Sequence, residues 1–164
     1  MEKADDRRAL VLWPAMMIDA PSIPAECGAY VLLVRLRDSL KPGIRTLGDR
    51  ILEPGTYAYC GSAHGPGGLR ARVSRHLRTG KALRWHVDRL TLAGRIEAVA
   101  VRVGGRECDL VDALLARGAT VPIPRFGSSD CRRCPAHLLS LPGQFDKTAL
   151  NEAVGLGRGT AVPL

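Results

Sequence analysis

GTYAYCGSAHGPGGLRARVSRHL, running from Gly55 to Leu77, holds the transition on which the fold turns. Its first part, TYAYCG, reads as a β-strand that stops at Gly61. Its second part opens with Pro66, Gly67 and Gly68, then places Leu69, Val73 and Leu77 at helical spacing. That spacing predicts a helix ending at Gly80. A strand carrying Tyr57 and Tyr59 thus feeds a helix carrying several arginines. On a surface hairpin the pattern means little. In a site, it delivers phenol and guanidinium to one phosphate.

Working outward, GAYVLLVRL (28–36) reads as a central strand, and IEAVAVRV (96–103) as another. Between the first two strands, KPGIRTLGDRILEPG (41–55) carries Pro-Gly turn signals at 42–43 and 54–55. The intervening IRTLGDRIL suits an extra strand or a short hairpin. ALRWHVDRLTLAG (82–94) and ECDLVDALLARG (107–118) predict two further helices. VPIPRFGSSDCRRCPAHLLSL (121–141) reads as proline-punctuated loop with a closing strand or short helix. The resulting class is α/β: a small, mainly antiparallel sheet flanked by helices. Residues 1–25 read as an N-terminal arm with an apolar stretch at 9–18. Residues 26–143 form the domain, and 144–164 a frayed C-terminal tail.

The chain has 164 residues, 24 Lys+Arg against 16 Asp+Glu, and a formal net charge of +8. This excess favours a polyanionic partner, nucleic acid or an anionic membrane surface. At 4% aromatic residues, base stacking is not the expected main grip on a single strand. The start, MEKADDRRALVLWPAMMIDA, has an apolar run too short to span a bilayer, with acids misplaced for a signal peptide. With five cysteines, an odd number, the expectation is a cytoplasmic protein with reduced thiols.

Four positions combine into a constellation. Arg72 shares a helix side with Leu69 and His76, at the border of the buried face, whereas Arg70 and Arg78 point to solvent. Glu107 precedes Leu110, Val111 and Leu114 at helical spacing and so starts on the apolar face of its helix. Such a carboxylate is either a first-turn acid favoured by the helix dipole or one turned inward to hold a metal. Tyr30 and Tyr59 fall near strand ends. Each alone suits a core or rim tyrosine, but the four together point to phosphate chemistry. Trp85, His86 and Asp88 of WHVD are candidates for helix packing or for the lining of the same cleft.

GAY (28–30), YCG (59–61), the arginine of LRARVSRH and the glutamate of ECDLV together resemble the GIY-YIG nuclease pattern, over roughly residues 27–139. The chain looks most like a small stand-alone branch that shares WHVD and an FGSSDC…C…HL ending. The resemblance implies a three-stranded antiparallel sheet and a divalent-metal phosphodiesterase site. It assigns Tyr30 and Tyr59 to the two motif tyrosines, Arg72 to the helix arginine, His76 to a position one turn later, and Glu107 to the metal. Two departures stand out. Tyr30 and Tyr59 lie farther apart than is usual in the family. The asparagine that many relatives carry after the glutamate helix is missing, since the only asparagine is Asn151. Asp130 or His137 is the available substitute.

The chemistry expected of this set is phosphodiester hydrolysis of DNA, branched or damaged, with Mg²⁺ or Mn²⁺ as cofactor. A single inward carboxylate suits Mg²⁺, which keeps most of its waters. Arg72 clamps the phosphate, while Tyr30 or Tyr59 orients or deprotonates water, with His76 or His86 as the alternative base. Arg70, Arg75 and Arg78 are the expected nucleic-acid contacts. The competing reading is a non-catalytic nucleic-acid-binding module on a degenerate nuclease scaffold; a third is a zinc-stabilised interaction protein. For zinc, CRRCPAHL offers Cys131, Cys134 and His137, and the fourth ligand must be remote, with Cys108 the candidate. Three clustered ligands do not close a structural site, so no stoichiometric zinc is expected.

Overall fold

A computed structural model describes residues 9–12 and 18–155. Five strands, β1 (Ala9–Leu12), β2 (Gly28–Leu36), β3 (Gly55–Ala63), β4 (Arg95–Val103) and β5 (Leu138–Ser140), form one sheet in the order β1-β4-β2-β3-β5. Every neighbouring pair is antiparallel. Four helices complete the fold: α1 (Gly68–Leu77), α2 (His86–Ala93), α3 (Glu107–Leu115) and α4 (Lys147–Val154).

β2 is buried along nearly its whole length, and only Arg35 is exposed. Its run of valine and leucine follows from cover on both faces, which removes the usual polar alternation. Tyr30, Leu32 and Val34 point to the face covered by Leu69 and Val73 of α1 and by Val87 and Leu90 of α2. Ala29, Val31 and Leu33 point the other way, against Leu110, Val111 and Leu114 of α3 and Leu150 of α4. The sheet is therefore the middle of three layers, and each face has its own core.

Of the two alternatives for the segment between β2 and β3 the hairpin is the one found, and two other expectations change. The segment between β2 and β3 adds no strand to the sheet. It is a hairpin-like excursion around a 3-10 turn at Arg45–Leu47, closed by a two-hydrogen-bond bridge between Leu40 and Leu52. Its two Pro-Gly turns leave too little extended chain between them for more. The arm contributes β1, paired with β4, while residues 13–17 lie outside the described set. The expected frayed tail contains α4, whose Asp146 carboxylate caps Ala149 N at 2.9 Å. Leu150 and Val154 are buried against the sheet layer, and burial of such side chains contributes about 1.5–3 kcal/mol each. Among the described residues, no helix is long and apolar enough to cross a membrane.

Candidate active site

The antiparallel order brings one end of three strands together. Gly28 at the start of β2 lies opposite Ala63 at the end of β3 and opposite Val103 at the end of β4. The chain leaves β3 into α1 and β4 into α3, so both helices begin at the sheet end where Tyr30 sits. A cleft of about 550 Å³ opens there, lined by Tyr30, Tyr59, Arg72, His86, Glu107, Asp130 and His137. Residues more than a hundred positions apart in sequence thus meet in one cleft.

The tyrosines sit on the same sheet face, with Leu32 of β2 opposite Tyr59 and Gly61 of β3 opposite Tyr30. Only glycine leaves room at position 61, because a Cβ there would lie 2.3 Å from the Tyr30 ring tip. The phenol ring therefore lies across the space that any other residue would fill. Gly127, with φ of 73°, plays a similar part against Tyr59, where a Cβ would approach the ring to 2.7 Å.

Tyr30 is buried, and its hydroxyl is 2.7 Å from Nε2 of His76. His76 is 1% exposed and stands behind Tyr30 rather than in the cleft. Burial first, then the Lys81 charge, holds its pKa down at about 3, so it is a neutral imidazole. As a free base in the cleft it is excluded by position, and its role passes to supporting Tyr30. Burial and the neighbouring Tyr59 push the Tyr30 phenol well above its ordinary value. Burial and Cys60 push Tyr59 up to about 12, against a downward pull from Arg72; Glu107 also raises it. The two phenols differ in their partners. Tyr59 makes no hydrogen bond through its hydroxyl among the described residues, while Tyr30 is occupied by His76.

His86 does line the cleft, but its Nδ1 accepts the Gly127 backbone N–H at 3.1 Å. The proton of the neutral ring is then on Nε2, which makes His86 a donor into the cleft rather than a base. Burial, then the charge of Arg89, lowers its pKa and keeps it neutral.

Arg72 is half-buried, and its guanidinium lies 4.5 Å from the centre of the Trp85 ring. The stack restricts the long side chain without using its hydrogen bonds, so the donors remain for a ligand. Trp85, the N-cap of α2, thus combines both of its expected roles, packing and cleft wall. Arg75, an expected nucleic-acid contact, is engaged within the fold. It grips Asp88 through both terminal nitrogens, at 2.8 and 2.9 Å, and also reaches Ala82 O. Asp88, fully buried, also accepts the backbone N–H groups of Arg84 and Trp85. It is therefore a structural carboxylate at the start of α2 and does not line the cleft. Burial alone would raise its pKa, but Arg75 and those backbone donors outweigh it and hold the carboxyl well below the usual range. Arg70 and Arg78 are exposed as expected but lie outside the cleft, and Arg70 bonds Ile23 O. The cation missed in the sequence is Arg84, which lines the cleft from the non-helical segment before α2. The helical pattern read from Ala82 concealed it, since α2 begins only at His86.

Glu107 is the first residue of α3 and is half-buried at the cleft wall. Its carboxylate has no hydrogen bond or ion pair among the described residues. One open oxygen ligand beside water-accessible space is a donor of the kind a hard divalent cation takes, with waters filling the rest of its shell. Asp130 and His137 both reach the cleft, as proposed for the substitutes of the missing asparagine. Asn151 lies on α4 and does not line it. Cys108 folds against the C-x-x-C-x-x-H segment, so that ligand atoms of Cys108, Cys131, Cys134 and His137 all lie within 4.8 Å of one another. The ground for expecting an incomplete site, a missing fourth ligand, is removed.

The sequence model of the family described as "Domain of unknown function DUF123" matches residues 29–156 of the chain. No curated protein and no solved structure gives a match.

Proposed function

We propose that this chain, a member of the DUF123 family, is a metal-dependent endonuclease that hydrolyses phosphodiester bonds in DNA. The observation that carries this reading is the convergence of Tyr30, Tyr59, Arg72 and Glu107 on one cleft from four separate elements. Phosphodiester hydrolysis needs charge neutralisation, an oriented water and a stabilised leaving oxygen, and these residue types supply them.

Glu107 would hold the divalent cation, which would neutralise a phosphate oxygen and acidify water. Arg72, pre-stacked on Trp85, clamps the non-bridging oxygens as charge builds in the transition state. His86 donates from Nε2 toward the same group. Tyr59 orients the attacking water through its hydroxyl oxygen, and takes the water's proton only as the phenolate, its own proton having first been lost to solvent. It is the phenol with an unoccupied hydroxyl, and Glu107 is among the groups that raise its pKa. Neutralising Glu107 therefore makes the Tyr59 phenolate easier to form. Tyr30 is held by His76 beside it. Of the two His76 tautomers, the one with the proton on Nε2 donates to the Tyr30 oxygen. It leaves Nδ1, which is buried without a partner, as a bare lone pair rather than a buried orphan N–H. The Tyr30 proton is then directed into the cleft, toward the phosphate.

The test is a cleavage panel of labelled branched, flapped, single- and double-stranded DNA, with and without Mg²⁺ or Mn²⁺. Metal-dependent cleavage of at least one substrate supports the reading. Tight DNA binding with no cleavage of any substrate overturns it in favour of the non-catalytic binding module.

A further inference from the structure

We propose that Cys108, Cys131, Cys134 and His137 form a structural zinc site that locks the first turn of α3 to the cleft-wall loop. It is distinct from the cation position at Glu107, and its chemistry is different. Three thiolates and an imidazole are soft and borderline ligands that suit Zn²⁺ and not Mg²⁺.

The distances fit a tetrahedron. With Zn–S bonds near 2.3 Å, two sulfurs on one zinc sit roughly 3.8 Å apart. The Sγ atoms of Cys108 and Cys131 are 3.6 Å apart, and no pair of ligand atoms in the set exceeds 4.8 Å. A disulfide would need about 2.05 Å, and all five cysteines are free. Two members arrive by a tight local turn and one by a long-range contact. Cys134 N donates to the Cys131 sulfur at 3.3 Å, which shapes the C-x-x-C turn around the sulfurs. Cys108 comes from α3.

His137 supplies the second, independent observation. It is 7% exposed, yet its buried Nε2 has no hydrogen-bond partner. A neutral imidazole binds a metal through a ring nitrogen whose lone pair is free of other partners. A buried orphan nitrogen beside three thiols is costly unless something occupies the gap.

The surrounding loop is built to hold the ligands. Arg125, at a positive φ of 69°, donates to Cys131 O at 2.8 Å and to Ser129 O at 2.9 Å. Arg133 pairs with Asp109 and Asp112 and so ties the C-x-x-C turn to α3 a second time. The arginines of this loop also offset the net negative charge of a zinc with three thiolates. Cys108 directly follows Glu107, and Cys131 and His137 line the cleft. Zinc would therefore fix Glu107 relative to Gly127 and Asp130 without touching the substrate.

The experiment reads metal and not activity, so it stands or falls separately from the nuclease reading. The full chain is expressed with zinc available, purified in reducing buffer without chelator, and assayed for metals. One zinc per chain is expected. Replacement by Co²⁺ should give thiolate-to-metal charge-transfer absorption and the strong visible bands of a tetrahedral site. Cys108→Ser and Cys131→Ser should each lose most of the zinc, and Cys27→Ser should keep it. Because a cysteine variant can fail to fold, the wild type carries a second readout: chelation should lower Tm, and added Zn²⁺ should restore it. Trace metal in the wild type with no Co²⁺–thiolate band overturns the proposal. Stoichiometric iron, or full zinc retained in both cysteine variants, overturns it equally.

Discussion

The Tyr30 hydroxyl and the Nε2 atom of His76 lie 2.7 Å apart, with Tyr30 at the cleft wall and His76 buried behind it. The pair gives stability a pH dependence whose sign can be worked out. His76 titrates near 6.5 when unfolded and at about 3 when folded. Below pH 6.5 the unfolded chain takes up a proton that the folded chain refuses, so stability falls as pH drops from about 6.5 toward 3. Lowered values for His86 and His137 add to the slope. Denaturant midpoints measured from pH 7.5 to 5 should fall in the wild type. In His76→Phe the fall should be shallower. An unchanged slope would show that His76 is not held neutral.

Gly61→Ala tests the same ring from the other side. The new Cβ would meet the Tyr30 ring tip at 2.3 Å, and that tip is held in place by His76. The ring cannot yield without breaking the hydrogen bond, so the overpacking cost should reach about 1–3 kcal/mol. Thermal melting should show it, and Tyr30→Leu should relieve most of it. A Gly61→Ala protein with wild-type Tm would mean that the ring moves freely.

Much of this was legible in the sequence because it rests on local pattern. β2, β3, β4 and the cores of α1 and α3 follow from short-range periodicity, and the Tyr, Arg and Glu positions follow from the motifs upon them. What was not legible depends on how elements meet. Arg75 was expected to contact nucleic acid because nothing local announces that Asp88 waits on the next helix. Cys108 was nameable as a remote candidate beside the C-x-x-C turn, but its approach was not, since it lies 23 residues before Cys131 and no spacing rule links the two. Arg84 was hidden by an apparent helical run whose first residues are not helical. The anchor of α4 was missed because its few apolar residues sit in a polar, glycine-rich stretch.

Asp88 and Arg75 yield a prediction of stability rather than activity. Asp88→Ala would leave the Arg75 guanidinium, 18% exposed, and two backbone N–H groups without their acceptor. Breaking one side of such a pair costs roughly 3 kcal/mol or more, a Tm drop of about 6–12 °C for a chain of this size. The depressed carboxyl pKa means that this contribution is present above the unfolded value of about 4 and is lost as pH falls through the lower folded value. Melting curves of the wild type and Asp88→Ala should therefore differ most near neutral pH.

Arg84 and Arg75 should separate in a binding experiment. Duplex affinity measured against salt should fall steeply, log K dropping by about 0.9 per log unit of salt for each phosphate neutralised. Arg84→Ala should weaken binding to all sequences and reduce that slope by about one unit. Arg75→Ala should lower Tm through Asp88 and leave the slope unchanged. Affinity that does not respond to salt would remove the electrostatic grip that the net charge of +8 suggests.

Glu107→Gln addresses the enzyme reading directly. The substitution keeps the side chain's shape at the head of α3 and removes only its charge. Glu107 has no hydrogen-bond or ion-pair partner among the described residues, so no ion pair is broken. The lost helix-dipole interaction costs only about 0.3–1 kcal/mol, and Tm should move little. Cys108 is untouched, so any zinc held by the cysteine cluster should remain, which distinguishes loss of the cleft cation from collapse of the loop. DNA affinity should persist because Arg72 and Arg84 are unchanged. Cleavage should not. Losing the cation's neutralisation of the phosphate should remove several kcal/mol of transition-state stabilisation, roughly three or more decades in rate. Single-turnover cleavage in Mg²⁺, with DNA affinity, melting and metal content as controls, reads all four quantities on one preparation. A variant that cleaves as fast as the wild type would move the metal site away from Glu107.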